Sequence, residues 1–256
     1  MKTKLRYLLN LNILFVVLYF SACTSVKPYD LSLHVTGEID QQSVSQIIEK
    51  INSEPRMKLL RINSGGGNED AALVLSNTIA EEGISIIVDG ACISACAHLL
   101  LPAAKNVYVV HDSVIGFHSN IYGWLHHFHS SNKSEFEELI DKAENMASFL
   151  TEKNANIDIL FCVDTFLSPG EPFRRNGTGN FSRNNIFNFF IADETLLMAY
   201  GITIQNVKNS SGDIREKLKM SGVSLQGTLS NWNQQECDEA ISSSDWFTIK
   251  EKLEIH

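Results

Sequence analysis

The chain has 256 residues, of which 44% are hydrophobic and 20% are charged, and its formal net charge at pH 7 is −9. This composition is typical of a globular protein and excludes an intrinsically disordered chain or one with several membrane spans. The excess of acidic residues also excludes the basic footprint of a nucleic-acid-binding protein, so we expect no nucleic-acid partner.

Residues 1–22 predict a secretory signal. Three basic residues precede an apolar run that ends at Phe20, and the small residues Ser21 and Ala22 then precede Cys23. This order is typical of an export signal. The ending resembles a bacterial lipobox, in which the cysteine is lipid-modified and becomes the first mature residue, although Phe20 replaces the usual leucine. We therefore expect a lipoprotein anchored at the periplasmic face of a bacterial membrane. An ordinary cleaved signal and an uncleaved anchor are the alternatives.

Strands and helices alternate through the first half of the chain, which predicts parallel pairing and an α/β class. A linker at 23–30 is expected to precede one domain at 31–207, and residues 208–256 form an extension of unknown role. The period of the apolar residues predicts strands at 31–36, 59–62, 84–88, 107–110 and 113–117, and helices at 42–53, 69–82 and 134–153.

The later part of the chain is less regular. Residues 116–131 are rich in aromatic residues and histidine and predict a loop over a site, whereas the polar stretch 168–185 predicts a surface insert. Further strands are predicted at 187–191 and 202–207. Between them a short helix, 194–200, is expected, capped by Asp193 and stopped by Gly201.

Four cysteines remain besides Cys23, namely Cys92, Cys96, Cys162 and Cys237. An exported chain lies in an oxidising compartment, where an even number of cysteines permits disulfides. The distant Cys162 and Cys237 are able to pair with each other, but the sequence leaves the connectivity of all four open.

Ser94 stands in a turn of small residues between an apolar strand and a buried helix. A hydroxyl at a helix start acts as a nucleophile when a base is near, and the helix N-terminus stabilises developing negative charge. The plain alternative is that Ser94 merely starts the helix.

Two more features follow neighbouring strands. The glycine run 65–67 offers backbone N–H groups at a helix start, and His118 ends the pair of strands that follows the Ser94 turn. Because the carboxyl ends of adjacent strands share one crevice, these features are expected to converge. Ser94 would be the nucleophile and His118 the base. The N–H groups of Gly66 or Gly67, with Ala95, would form the oxyanion hole.

The order of these motifs resembles the Clp protease proteolytic subunit, and more closely its exported relatives, which carry a Cys-x-Ser-Ala-Cys nucleophile motif. The resemblance implies the ClpP/crotonase-like fold, a spiral of ββα units with a parallel sheet, and a serine peptidase. It covers 31–125 and resumes at 193–202, and the separation of Ser94 and His118 suits the family. The residues that carry it are 37–40 (GEID), 62–67 (INSGGG), 90–97 (GACISACA) and 115–118 (IGFH).

The sequence departs from the family at three points. Gly65 replaces a proline of the glycine loop, and the segment between His118 and the late helix is longer. The third triad member, an aspartate in the family, has no clear counterpart, because its position falls beside Asn188. Asn188 would orient His118 without supplying charge, and Asp164 or Asp158 would serve if their segment folds back.

The leading hypothesis is an exported serine peptidase that cleaves peptides or unfolded protein segments through an acyl-enzyme and needs no metal or organic cofactor. The alternative is a catalytically weak or inactive lipoprotein of the same fold that binds peptides or a partner protein. In the resembled family a long helix mediates ring assembly. The sequence of 134–153 differs too much to carry this over, and a homo-oligomer stays open.

Other readings are ranked lower. A redox protein would use Cys92 and Cys96, but their spacing differs from the usual CxxC. Zinc at these cysteines would need His98 and His118 as further ligands. The histidines of the predicted loop are interpreted either as metal ligands or as part of a solvated loop. No metal is expected at the Ser94 site. His98 and the C-terminal Trp232 and Trp246 are interpreted as packing residues. The loop histidines are His126, His127 and His129.

Overall fold

The computed structural model describes residues 32–110, 113–118, 120–125, 133–167, 190–205, 233–253 and 255. The chain divides into two units, Met1–Leu31 and Ser32–His256, and the described residues lie in the second. No helix in these described ranges is both long enough and apolar enough to span a membrane.

Seven strands and eight helices are named here, in chain order. The strands are β1 (Ser32–Thr36), β2 (Leu59–Ser64), β3 (Ser85–Ile93), β4 (Val107–Val109), β5 (Val114–Phe117), β6 (Phe190–Ile191) and β7 (Ile204–Gln205). The helices are α1 (Gln41–Ser53), α2 (Glu69–Glu81), α3 (a π-helical turn Cys96–Leu100 that continues as Leu101–Ala103), α4 (Lys133–Glu152), α5 (Ile157–Leu167), α6 (Glu194–Tyr200), α7 (Gln234–Ser242) and α8 (Trp246–Lys252).

The helix ends follow local capping chemistry. Asp40 begins α1 with a capping box, in which its carboxylate accepts from the Ser43 N–H and the Ser43 hydroxyl accepts from the Asp40 N–H. The Asp193 carboxylate caps α6 by accepting from the Leu196 N–H, and Gly201 ends that helix at φ 100°. The two caps of α6 predicted from the sequence are confirmed.

The strands form one sheet in the order β1-β2-β3-β4-β7, and all of these neighbours are parallel. β5 pairs parallel with β3, and β6 pairs antiparallel with β5. The central strands carry fully buried aliphatic side chains, which is expected for a parallel sheet covered on both faces. The predicted α/β class with a parallel sheet is confirmed.

The strand β3 changes its partner half-way along. Its residues 86–88 pair with β4, whereas residues 91–93 pair with β5. Between these halves β3 holds more residues than β2 does, because Ile62 and Ser64 of β2 face Val88 and Cys92 of β3. Gly90 lies in this bulge at φ 121°, a conformation that suits glycine. The bulge therefore brings the end of β3 beside β5.

Two regions differ from the expectation or extend it. The predicted loop 116–131 contains a buried helical turn at 121–125, since Ile121, Tyr122 and Leu125 face the core.

Within the extension at 208–256, α7 and α8 pack on α5. The Cys162–Cys237 disulfide joins α5 to α7, and the Trp246 ring of α8 stacks on Phe161 with centroids 4.6 Å apart. Trp246 is a packing residue, as predicted.

Candidate active site

Ser94 follows β3 directly in a strained turn. Its φ of 59° lies in the left-handed region that few non-glycine residues adopt. The Ser94 N–H donates to the Gly116 carbonyl at 3.0 Å, and the Ser94 carbonyl accepts from the His98 N–H at 2.8 Å. The residue is 8% exposed. A tight strand-to-helix turn that holds a serine in this way is typical of a nucleophile position.

A disulfide joins Cys92 and Cys96 across this turn. Cys92 is the penultimate residue of β3, Cys96 begins α3, and both are fully buried, with Cα atoms 5.2 Å apart. The bond therefore fixes the backbone on both sides of Ser94. The connectivity that the sequence left open is Cys92–Cys96 and Cys162–Cys237.

The glycine loop packs against the Ser94 turn. Gly66 has φ 93°, and a Cβ atom added there would lie 2.5 Å from the Ile93 carbonyl oxygen and 2.6 Å from the Ser94 Cβ. The same point is 3.1 Å from the Ala95 nitrogen. Only glycine permits so close an approach. The structure thus brings Ser94, Ala95 and Gly66 into contact, as the sequence predicted.

The hydrogen bonds of the loop separate the two candidate glycines. The Gly66 N–H donates to the Ser64 hydroxyl at 3.1 Å. Ile39 forms an isolated parallel bridge with Gly67, in which the Ile39 N–H donates to the Gly66 carbonyl and the Ile39 carbonyl accepts from Asn68. In such a bridge the N–H of the central residue points away from its partner strand. The Gly66 N–H is thus bound within the loop, whereas the bridge to Ile39 uses the Gly66 carbonyl and the Asn68 N–H and not the Gly67 N–H.

Asn63 and Ser64 support the glycine loop, a role that was not predicted for them from the sequence. The Asn63 side-chain oxygen accepts from the Ala91 N–H at 2.9 Å, and the Asn63 side chain occupies the space that a Cβ at Gly90 would need. The Ser64 hydroxyl donates to the Gly37 carbonyl at 2.6 Å. The signal in the sequence was the polar pair before the glycine run.

His118 follows β5 at the same edge of the sheet. The register pairs Ile93 with Gly116, so Ser94 and His118 stand just beyond the carboxyl ends of adjacent parallel strands. The His118 side chain is partly buried. The glycine loop, the Ser94 turn and His118 therefore follow strands that end at the same edge of the sheet.

His98 lies beside His118 in the interior. Its ring stacks on Phe117 with centroids 5.3 Å apart, and the centroid of the His118 ring is 6.2 Å away. Burial lowers the pKa of His98 well below its usual value, and the nearby His118 lowers it further. His98 is therefore neutral at physiological pH. The expectation that it packs in the core is confirmed.

Glu69 begins α2 directly after the glycine loop. Burial raises the pKa of its carboxyl to about 7, and repulsion from Asp70 adds to this while Lys142 opposes it. Asp70 itself bonds Lys142 at 2.8 Å. A carboxyl group that changes charge near neutral pH therefore lies at the end of the loop, and no motif in the sequence indicated it.

The remaining candidates are not brought to this site in the described part of the chain. Asp158 accepts from the Trp246 indole N–H at 2.7 Å and from Lys250 at 3.0 Å, so its carboxylate is engaged with the C-terminal helices. Asp164 belongs to α5, but its side chain is outside the described set. Cys23, Asn188, the loop histidines and Trp232 lie outside the described residues. Within the part of the chain that the structure describes, no three His, Cys, Asp or Glu side chains form a group that could hold a metal ion.

No protein-family model matches this chain, and no curated protein does. Among solved structures, the chain is similar to the ClpP protease catalytic domain from Plasmodium falciparum. The two share 13% sequence identity with a TM-score of 0.46, over 70% of this chain and 87% of the other.

Proposed function

We propose that this chain is an exported, ClpP-like serine peptidase that cleaves peptides or unfolded protein segments. One observation carries the proposal. Ser94 is held at φ 59° at the end of β3, with the Gly66 backbone packed against it and His118 at the end of the neighbouring strand. A nucleophile, a base and converging N–H groups at one edge of a sheet form the constellation that acyl transfer requires.

The reaction follows from these positions. The Ser94 hydroxyl attacks the peptide carbonyl carbon while His118 accepts its proton. The tetrahedral oxyanion is stabilised by the N–H groups of Ala95 and Gly67, the two candidate donors of the loop and the helix start. His118 then protonates the leaving amine as the C–N bond breaks. Water hydrolyses the Ser94 ester by the same route, which releases the acid and restores the hydroxyl.

Export is supported by the two disulfides, because such bonds persist in oxidising compartments and are rare in the cytosol. The signal in residues 1–22 and the lipid on Cys23 are proposed from the sequence pattern alone. They would keep the enzyme on the periplasmic face of the membrane, where its substrates are exported peptides and proteins.

The proposal is tested by labelling the full chain, purified in detergent, with a fluorophosphonate probe. Such a probe reacts with a serine only when a neighbouring base activates it. We expect wild type to be labelled and both Ser94→Ala and His118→Ala to lose the label. Ser76→Ala and His34→Ala are matched controls, since Ser76 is buried within α2 and His34 is exposed on β1, and both should label like wild type.

A folded wild type that stays unlabelled would favour the alternative, a peptide-binding or protein-binding lipoprotein without activity. That protein should retain its ligand in the Ser94→Ala variant, whereas a peptidase should lose the cleavage of an unfolded test protein. Labelling that persists in Ser94→Ala would place the reactive serine elsewhere and contradict the assignment.

A further inference from the structure

His98 is a buried polar side chain without a hydrogen-bond partner. It is 1% exposed, and neither of its ring nitrogens has a partner in the described part of the chain. A neutral imidazole carries one N–H donor and one bare acceptor nitrogen. Buried polar atoms are almost always hydrogen-bonded, and an exception calls for an explanation. Packing against Phe117 alone would be served better by an apolar residue.

The position of His98 ties it to both members of the Ser–His pair. It lies four residues after Ser94, and its backbone N–H donates to the Ser94 carbonyl. Its ring centroid is 6.2 Å from that of His118, with the planes tilted by 59°. Catalytic hydrogen bonds in an unliganded site are often long and tighten when substrate binds. The two rings are not hydrogen-bonded to each other in this structure, and a small approach of one ring toward the other would form the bond.

The proposed base His118 needs a hydrogen-bond acceptor for the ring N–H that faces away from Ser94. A base that takes a proton from serine on one ring nitrogen must carry its own proton on the other, and an acceptor there selects that tautomer and stabilises the imidazolium. The bare nitrogen of a neutral His98 supplies this acceptor. A protonated His98 would repel the imidazolium, and burial keeps His98 neutral.

We propose that His98 is the positioning residue for His118, accepting a hydrogen bond from the ring N–H of His118 that faces away from Ser94. The inference rests on the proposed function and deepens it: the site is a Ser94–His118–His98 relay, in which a neutral imidazole is an acceptor for the His118 ring N–H.

The Tyr200 side chain holds the backbone of His98 from a second direction. The Tyr200 hydroxyl donates to the His98 carbonyl at 2.7 Å, and the Tyr200 ring meets Phe117 edge-on with centroids 5.2 Å apart. Burial raises the pKa of Tyr200 well above its usual value, so this donor keeps its proton. In the described residues, His118 and Tyr200 are thus the titratable groups placed against His98.

The test compares the fluorophosphonate labelling rate of four variants between pH 5 and pH 9. His98→Phe keeps an aromatic ring on Phe117 but removes the acceptor, and we expect its labelling rate to fall about tenfold or more. The midpoint of its pH–rate curve should move to lower pH, because the lost hydrogen bond favoured the charged form of His118. His98→Asn and His98→Gln offer a side-chain oxygen at different reach, and one of them should recover part of the rate.

Tyr122→Phe is the matched control. Tyr122 follows His118 by four residues, and its hydroxyl is likewise buried without a partner among the described residues. Its removal should leave both the labelling rate and the pH midpoint unchanged. Melting curves of all variants report whether each one folds.

Two results would overturn the inference. One is a wild-type rate and pH midpoint in His98→Phe. The other is an equal loss in the Phe, Asn and Gln variants with an unmoved midpoint, which would make His98 a packing residue. If wild type is not labelled at all, the proposed function fails and the ¹⁵N spectra of the histidines decide this inference separately. His118 should hold one tautomer in wild type and mix tautomers in His98→Phe, and an unchanged tautomer would refute the positioning role.

Discussion

At the Ser94 turn, two backbone conformations that most residues avoid lie in contact with each other. Ser94 at φ 59° and Gly66 at φ 93° approach so closely that a single added carbon would have no room. The left-handed conformation costs free energy at Ser94 but not at glycine, and the hydrogen bonds with Gly116 and His98 maintain that of Ser94. Strain held by tertiary contacts at this edge of the sheet is the arrangement expected of an active site.

The close packing of Gly66 against Ser94 is tested by adding one carbon to the glycine loop. Gly66→Ala places a Cβ against Ile93 and Ser94 in an unfavourable φ, so we expect a stability loss of about 1–3 kcal/mol from overpacking. The displaced loop should lower fluorophosphonate labelling of the folded protein by about a hundredfold, the effect of misplacing a catalytic group by roughly 1 Å. Gly65→Ala is the control, because no atom lies within 4 Å of its added Cβ. Equal labelling of both variants would refute the role of Gly66.

At the scale of the elements, the bulge in β3 and the two disulfides determine where the site lies. The bulge directs residues 91–93 to β5, which sets Ser94 beside His118. The Cys92–Cys96 bond closes a short loop around Ser94, the proposed nucleophile, whereas Cys162–Cys237 joins elements 75 residues apart in sequence. The first bond therefore constrains the turn around Ser94, whereas the second stabilises the fold as a whole.

Removing each disulfide in turn should distinguish its effect on stability from its effect on the Ser94 turn. Chain-entropy arguments give about 2 kcal/mol of stabilisation for the short loop and about 4.5 kcal/mol for the long one. Replacing Cys162 and Cys237 by alanine should therefore lower the free energy of unfolding more, yet leave the labelling of folded molecules intact. Replacing Cys92 and Cys96 should cost less stability and more labelling. Denaturant unfolding and probe kinetics on both variants test this, and the reverse pattern would contradict it.

Much of this site could be predicted because its motifs are local in the sequence. A run of glycines at a strand end and a serine at a helix start each predict a turn from a few adjacent residues. The order of the strands then places these turns at one edge of the sheet. The contact of Asn63 with Ala91 and that of His98 with His118 join residues from different strands or helices, so no periodicity reveals them. The packing of α7 and α8 could not be predicted for the same reason.

At the scale of the whole molecule, the C-terminal helices complete the core. Trp246 is fully buried, stacks on Phe161 and meets Tyr122 edge-on with centroids 5.9 Å apart. Its indole N–H donates to Asp158, which also binds Lys250. Tyr122 belongs to the helical turn that follows His118, so α8 supports the segment beside His118.

Truncating this contact gives a prediction for the whole molecule. Trp246→Ala should lower the free energy of unfolding by about 3–5 kcal/mol, since it removes a buried ring and leaves Asp158 with one partner fewer. Phe247→Ala changes the adjacent aromatic residue, which is 61% exposed, and should shift stability by no more than about 0.5 kcal/mol. Thermal and denaturant unfolding measure both. Similar losses in the two variants would show that α8 is not part of the core.

The positive φ of Ser94 also limits which amino acid is able to provide the attacking group. Threonine has the same hydroxyl, but a β-branched side chain is crowded in the left-handed region and becomes a true outlier there. Cysteine has the unbranched shape of serine and a better nucleophile, yet a thiol between Cys92 and Cys96 would exchange with their disulfide. Of these three residues, serine is the one that suits both the positive φ of this position and the disulfide on either side of it.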